Sequence, residues 1–330
     1  MLQAPYLVFL GDATDPLSIK MAKGVATWKP ELCVGQYRLP GCSETANLPD
    51  MNISEAAEKG AKTFVLGFAN SGGKIDQSWL PFIIQAIENG MDIVSGLHDK
   101  LTDFDELVIH SEKHNVKLID IRHPSEKFAT GTGYKRTGKR LLTVGTDCSV
   151  GKMYTSLALE SAMRESGMNV DFRATGQCGV LIAGKGLAID CVVADFISGA
   201  AETLSPDNVV DHWDIIEGQG SLSHPAFAGV SLGLLHGSQP DAIVVCHALG
   251  RTTMRGITNR PLPTLKHTIE LNLAAASITN PNVKIAGITI NTSSVSETEA
   301  NDICRNLSHE LGLPVVDPLR HGVQSIVDNL

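Results

Sequence analysis

Along the first 120 residues, short apolar runs alternate with longer amphipathic ones. YLVFLG precedes SIKMAKGVATW, and ELCVGQY follows. KTFVLGF precedes SWLPFIIQAIENG. MDIVSG precedes DELVIHSEKHN, and VKLIDIR comes after it. Short unbroken apolar runs suit strands buried on both faces, and the segments between them suit helices. Strand and helix in alternation predict parallel βαβ units, with helices covering both sheet faces.

The first half therefore reads as a Rossmann-like domain. It has no clean G-x-G-x-x-G after the first strand, which weakens any dinucleotide role for it. The pattern lapses at HPSEKFATGTGYKRTGK, which is rich in Gly, Thr and Lys and has no hydrophobic period. This stretch reads as a linker. A second alternating series starts at RLLTVG and continues through NVDFRAT, LAIDCVVA, WDIIEG, DAIVVCHA and VKIAGITIN, with helical runs such as TEANDICRNLSHELG between most of them. The expected organisation is α/β throughout: a Rossmann-like substrate domain over residues 1–125, a linker over 126–139, and a second parallel-sheet domain over 140–330. No internal repeat or low-complexity tail interrupts it.

Bulk properties narrow the function. The 330 residues are 43% hydrophobic and 19% charged, enough for two well-filled cores. A formal net charge of −9 argues against a nucleic-acid surface and favours small-molecule partners. The opening MLQAPYLVFLGDATD lacks a basic region before its short apolar run and reads as a first strand, not a signal peptide. No apolar run approaches the ~18 residues of a membrane helix. The seven cysteines are scattered without a C-x-x-C pair, which suits a reducing cytoplasm. A homo-oligomer is expected, because folds of this type commonly bury apolar surface between subunits.

The strongest local signal is GTDCSVGKM, placed between an apolar strand and the helical run SLALESAM. This is the setting of a phosphate loop, whose backbone N–H groups and helix N-terminus bind anionic oxygens. Gly145 and Gly151 bracket five residues, one more than the standard loop, and Lys152 follows. The position after the lysine is Met153, where a nucleotide hydrolase carries Ser or Thr. A thioether is soft and Mg²⁺ demands hard oxygen ligands, so the loop reads as one that holds phosphate without cleaving it. Tyr154 and Thr155 point to different sides of the helix and do not restore the missing ligand. Coenzyme A, whose phosphates are only a handle, suits such a loop. The coenzyme-binding set is Gly145, Thr146, Asp147, Cys148, Ser149, Val150, Gly151, Lys152, Met153 and Tyr154, together with Glu217. No metal is expected.

The spelling GTDCSVGK resembles the variant loop of dethiobiotin synthetase and its P-loop relatives, and IIEGQGS, ending at Ser221, resembles the Glu-Gly-x-Gly at a strand end in that family. The second domain is accordingly P-loop NTPase-like. An ATP- and magnesium-dependent ligase or kinase, or a nucleotide-binding protein without chemistry, stands as the alternative function. Taken together, SGGKID, VSGLHDKL, LIDIRHP, GTDCSVGKM, TGQCGVLIAG, VVADFISGAAE, EGQGSLSHPAF, LLHGSQPDAIVVCHA and LPVVDPLRHG resemble a bacterial family long filed under unknown function, to which a D-glutamate N-acetyltransferase of D-amino-acid catabolism has been assigned. The resemblance runs from about residue 5 to residue 325, and Met153 belongs to its pattern. It implies acetyl-coenzyme A as donor and an acidic D-amino acid as acceptor.

Acetyl transfer to an amine needs a base, donors for a developing oxyanion and cationic partners for substrate carboxylates. Asp120, at the end of VKLID, is the candidate base, since ligands gather at the carboxyl ends of strands in open α/β sheets, and it is expected to face an inter-domain cleft. Its competing roles are to cap the turn or pair with Arg122. Arg122 and His123 are candidates for substrate carboxylates, and Arg122 could equally pair with Asp120 or a surface acid. Ser95 and His98, in VSGLHDKL, lie at another strand end; His98 reads as a base, a donor or a hydrogen-bonded loop histidine. Ser71, Gly72 and Gly73 offer backbone N–H groups for a carboxylate or oxyanion, or form a plain tight turn. Glu217, where P-loop enzymes place a metal-linked acid, could instead orient Lys152 or a bound amine. His224 and His236 show no zinc spacing. His247 lines the pocket or packs in the core, and Arg251 and Arg255 meet the 3′-phosphate of coenzyme A or a subunit interface.

Overall fold

The structure is a computed structural model that describes residues 2–16, 18–68, 72–124 and 126–330. It divides into two compact units. One holds residues 1–125 and 176–191, the other residues 126–175 and 192–330.

In the first unit the alternating runs form β1 (Tyr6–Gly11), α1 (Lys20–Trp28), β2 (Cys33–Arg38), α2 (Ile53–Glu58), β3 (Thr63–Leu66), α3 (Leu80–Glu88), β4 (Asp92–Ser95), α4 (Asp105–His114) and β5 (Leu118–Asp120). The strands pair in parallel in the order β2-β1-β3-β4-β5. Central β1 and β3 are buried along their whole length, which is why they are continuous apolar runs and not alternating ones. Phe9 on β1 is the hub of an aromatic core, with Phe64 at 5.2 Å between ring centroids and Trp79 edge-on at 6.2 Å. All five strands run the same way, so the loops after β3, β4 and β5 gather on one edge.

The second unit opens with β6 (Lys139–Gly145), α5 (Lys152–Glu165) and β7 (Val170–Arg173). Residues 176–191, which include α6 (Gln177–Ala183), then belong to the first unit, where α6 packs on α1. The second unit resumes with α7 (Ile197–Leu204), β8 (Trp213–Ile216), α8 (Ala228–Ser238), β9 (Ala242–Ala248), the short antiparallel pair β10 (Thr253–Met254) and β11 (Ile257–Pro261), α9 (Leu265–Ala276), β12 (Lys284–Asn291), α10 (Glu297–Leu311), β13 (Val315–Val316) and α11 (Gln324–Val327). Its main sheet is parallel, in the order β13-β12-β9-β6-β8-β7, and β6 lies inside it between β9 and β8.

The structure corrects three sequence expectations. LAIDCVVA is not a strand: residues 189–191 form a single 3₁₀ turn. Its apolar residues serve different ends, with Ala188 and Ile189 fully buried and Val193 largely exposed. Residues 126–139 are not a free linker but part of the second unit. Backbone N–H groups of Thr132 and Gly133 donate to the Glu202 carboxylate, Lys135 Nζ meets Asp241 at 2.7 Å, and an Arg136 nitrogen donates to Gly237 O at 2.7 Å. These bonds use backbone N–H groups together with the Lys135 and Arg136 side chains, none of which leaves an apolar period. Thirdly, residues 176–191 join the first unit, whereas the sequence division assigned them to the second domain.

Candidate active site

The phosphate loop closes on itself through three unlike devices. Ser149 and Gly151 take left-handed backbone angles, φ +53° and +101°, which turn the chain from β6 into α5. Val150 points inward and packs with Cys246 and Ala248 of β9. Lys152, the first residue of α5, is buried, and its Nζ reaches back to donate to Asp147 O at 2.9 Å. The Lys152 stem passes Gly218, where an added Cβ would lie 3.1 Å from Lys152 Cδ and 1.6 Å from Thr143 O. Gly218→Ala is therefore expected to destabilise the protein by about 3 kcal/mol through overpacking, read as a lowered thermal midpoint. Gly151 is the N-cap residue of α5 and makes no side-chain cap bond.

Two arginines from outside the loop brace it. The fully buried Asp147 carboxylate accepts from the N–H of Cys148 at 2.7 Å, from Arg251 Nη1 at 3.0 Å and from the backbone N–H of Arg255 at 2.8 Å. Arg251 also donates to Cys148 O at 2.6 Å and Ser149 O at 3.1 Å, and the Arg255 guanidinium reaches Ser149 Oγ. Thr146 Oγ1 bonds His247 Nδ1 at 3.0 Å. Burial pushes the Lys152 ammonium below its usual range, partly offset by neighbouring groups that include Asp147 and Glu217. Three cationic side chains thus converge on one loop and bond to its oxygen acceptors.

The hydroxyls two and three residues after Met153 are engaged in hydrogen bonds of the core. Thr155 Oγ1 bonds Thr289 Oγ1 at 2.8 Å in the core, and Ser156 Oγ bonds Thr143 Oγ1 and Lys152 O, each at 3.0 Å. Met153 and Tyr154 are half-buried. Glu217 follows β8, and its carboxylate accepts the Thr175 N–H at 3.0 Å while its carbonyl accepts the Thr175 hydroxyl at 2.5 Å. It ties the ends of β7 and β8 and acts on Lys152 through its charge. His224, remote in sequence, comes within reach of Asp147 and Cys148, their ligating atoms lying within 4.8 Å of one another. The Asp147 carboxylate there is already shared between Arg251 and Arg255, and His224 Nε2 lies 3.0 Å from Arg255 O. Spacing gave no sign of this juxtaposition because the three residues meet only in the fold.

On the first unit, the carboxyl edge of β3, β4 and β5 brings together most of the sequence candidates there. His98 N–H donates to Gly73 O at 2.7 Å, and His123 Nε2 lies 2.9 Å from His98 O. Gly72 and Gly73 have φ of +85° and +60°, and a Cβ on Gly73 would lie 2.3 Å from the His98 ring. Ser71 lies outside the described residues. Ser95 is fully buried and its Oγ accepts the Leu97 N–H at 3.2 Å, which places it to hold the turn beneath the edge. Partial desolvation and the Arg122 guanidinium lower the pKa of the exposed His98, so it is neutral over a wider pH range.

Asp120 is half-buried. Both its carboxylate oxygens accept from the single N–H of Leu101, at 3.1 and 3.2 Å, and burial raises its pKa against that bond. It does not pair with Arg122. Arg122 is buried and its guanidinium donates to Gln177 Oε1 at 3.0 Å and to Asp190 Oδ2 at 2.5 Å. Gln177 and Asp190 escaped the sequence reading, because they come from the segment assigned to the other domain.

Residues 127–327 match the P-loop domain described as a domain of unknown function, DUF1611_C, and residues 34–124 match the Rossmann-like domain DUF1611_N. The chain belongs to the DUF1611 family. A curated D-glutamate N-acetyltransferase of Pseudoalteromonas sp is 69% identical over 329 residues, spanning 100% of this chain and 99% of that protein. Another of that name, from Tritonibacter scottomollicae, is 48% identical over 330 residues, again spanning 100% and 99%. A crystal structure of a DUF1611 family protein from Anabaena variabilis ATCC 29413 superposes with a TM-score of 0.88 at 29% identity, covering 99% of each chain. Among the described residues, no helix is long and apolar enough to cross a membrane.

Proposed function

We propose that this chain transfers an acetyl group to the amino group of D-glutamate; it is a D-glutamate N-acetyltransferase. The observation that carries the reading is the 69% identity, end to end, with a protein of that name. Acetyl-coenzyme A is the proposed donor. Its pyrophosphate is assigned to the N–H groups of the loop and first turn of α5, with Lys152, Arg251 and Arg255 as counter-charges. The donor brings its own activated thioester, so phosphate is held and not cleaved, consistent with Met153 after the lysine.

The acceptor is assigned to the carboxyl edge of the first unit. Arg122, fixed by Asp190 and Gln177, and His98 are the proposed partners for the substrate carboxylates. Asp120 is the proposed base. A carboxylate has about four acceptor sites, so the bond from Leu101 leaves capacity for a substrate ammonium. Asp120 takes the ammonium proton, the freed amine attacks the thioester carbonyl carbon, and collapse of the oxyanion breaks the C–S bond; the second proton lost by the acylated nitrogen goes to the departing sulfur, so coenzyme A leaves as the thiol, and Asp120 gives its proton up to water. The reading is completed by the enzyme acting in the cytoplasm as a homo-oligomer in D-amino-acid catabolism.

The test is incubation with acetyl-coenzyme A and D-glutamate while thiol release is followed. Turnover is expected to persist in excess EDTA and without nucleotide. No thiol release with any acidic amino acid would overturn the assignment, and magnesium-dependent ADP formation from ATP would move it to a ligase or kinase.

A further inference from the structure

At the opposite edge of the first unit's sheet from Asp120 and His98, α3 and α4 end side by side. Glu88 closes α3; His110 and His114 occupy the last turn and a half of α4. The two histidines are four residues apart and so share one face of the helix. Their rings are parallel within 6°, with centroids 6.4 Å apart. One ligating atom from each of Glu88, His110 and His114 lies within 4.8 Å of the others.

The nitrogens at this place are not otherwise engaged. His110 Nδ1 and His114 Nε2 are both buried and make no hydrogen bond among the described residues. Glu88 Oε1 approaches His110 Nδ1 at 3.4 Å, an ion-pair distance without hydrogen-bond geometry. A buried imidazole nitrogen normally finds a partner, and two such atoms side by side beside a carboxylate share a single remedy. The carboxylate supplies negative charge, and the carbonyl ends of α3 and α4 both favour a cation.

We propose that Glu88, His110 and His114 form a binding site for one divalent transition-metal ion of the zinc, cobalt or nickel class. Two imidazole nitrogens and one carboxylate select such an ion over Mg²⁺ or Ca²⁺, which prefer all-oxygen shells. Three protein donors leave the remaining coordination to water. The ion fastens α3 to α4 at the edge away from the candidate active site, so its role is to stabilise the first unit and not to take part in acetyl transfer.

The full chain is dialysed against Co²⁺ and, separately, Zn²⁺. One equivalent should bind with the visible absorption of nitrogen- and oxygen-ligated Co²⁺ and no thiolate charge-transfer band, and it should disappear in the His110→Ala/His114→Ala double variant. Zn²⁺ at a hundredfold excess over its Kd should raise the thermal midpoint by roughly 5 °C in the parent and leave the double variant unmoved. If the double variant does not fold, Glu88→Gln at its exposed position should weaken binding at least about tenfold. No bound equivalent, an equivalent that survives the double substitution, a thiolate band, or unchanged affinity in Glu88→Gln would each overturn the proposal.

Discussion

Lys152→Met is expected to raise the KM for the acetyl donor by roughly 30-fold while leaving kcat within a few-fold of the parent. The magnitude follows from losing a charge-assisted hydrogen bond to phosphate, worth about 1.5–3 kcal/mol. Methionine is the informative replacement because it keeps an unbranched stem along Gly218 and Thr143, where space is tight. It removes only the ammonium, and with it the bond to Asp147 O. A handle that binds ground state and transition state alike changes KM and spares kcat. The opposite pattern, a collapse of kcat at constant KM, would show that Lys152 acts on the reacting thioester and would overturn its role as an anchor. The pH dependence has a fixed sign. Burial lowers the Lys152 pKa, so anion affinity in the parent should weaken as pH rises through that lowered value. Lys152→Met should lose this limb.

Asp120→Asn is expected to lower kcat by roughly 10²–10³ with unchanged affinity for the donor, measured by coenzyme A binding. Asparagine keeps an acceptor oxygen for the Leu101 N–H but cannot take a proton. The parent should lose activity as pH falls through the raised Asp120 pKa, because a protonated carboxyl is no base. That acid limb should be missing from the residual activity of the variant. Folding gives an independent check. A carboxyl whose folded-state pKa lies above its unfolded value binds its proton more tightly when folded, so its contribution to stability is present at low pH and lost as pH rises through the folded value. Asp120→Asn should therefore cost no stability near neutral pH. A strongly destabilised variant, or equal loss of turnover and coenzyme A affinity, would make Asp120 a structural residue.

What was legible in the sequence was what depends on neighbours along the chain. The unbroken run YLVFLG required a strand buried on both faces, and β1 is one. GTDCSVGK between an apolar run and a helical one required a loop at a helix N-terminus, and the structure has Lys152 as the first residue of α5. Candidates at the ends of β4 and β5 converge because parallel strands bring their carboxyl ends to one edge. What stayed hidden depends on partners far along the chain. Arg122 could be read as a substrate cation or a partner of Asp120, yet its partners Asp190 and Gln177 lie more than fifty residues away. Arg251 and Arg255 were visible as a basic pair, but nothing local indicated that they grip Asp147 and Ser149. Residues 126–139 lacked an apolar period because they are secured by polar bonds to Glu202, Gly237 and Asp241, which periodicity does not register.

The lending of residues 176–191 to the first unit has a consequence for the order of events during synthesis. Domains generally fold from the N-terminus as they leave the ribosome. Here the first unit is incomplete when residue 125 emerges, since Arg122 still lacks both of its partners, Asp190 and Gln177. The nascent chain must wait about sixty-five residues more, through β6, the phosphate loop, α5 and β7, before the first unit can close. A chain cut at residue 125 would therefore separate Arg122 from both of these partners.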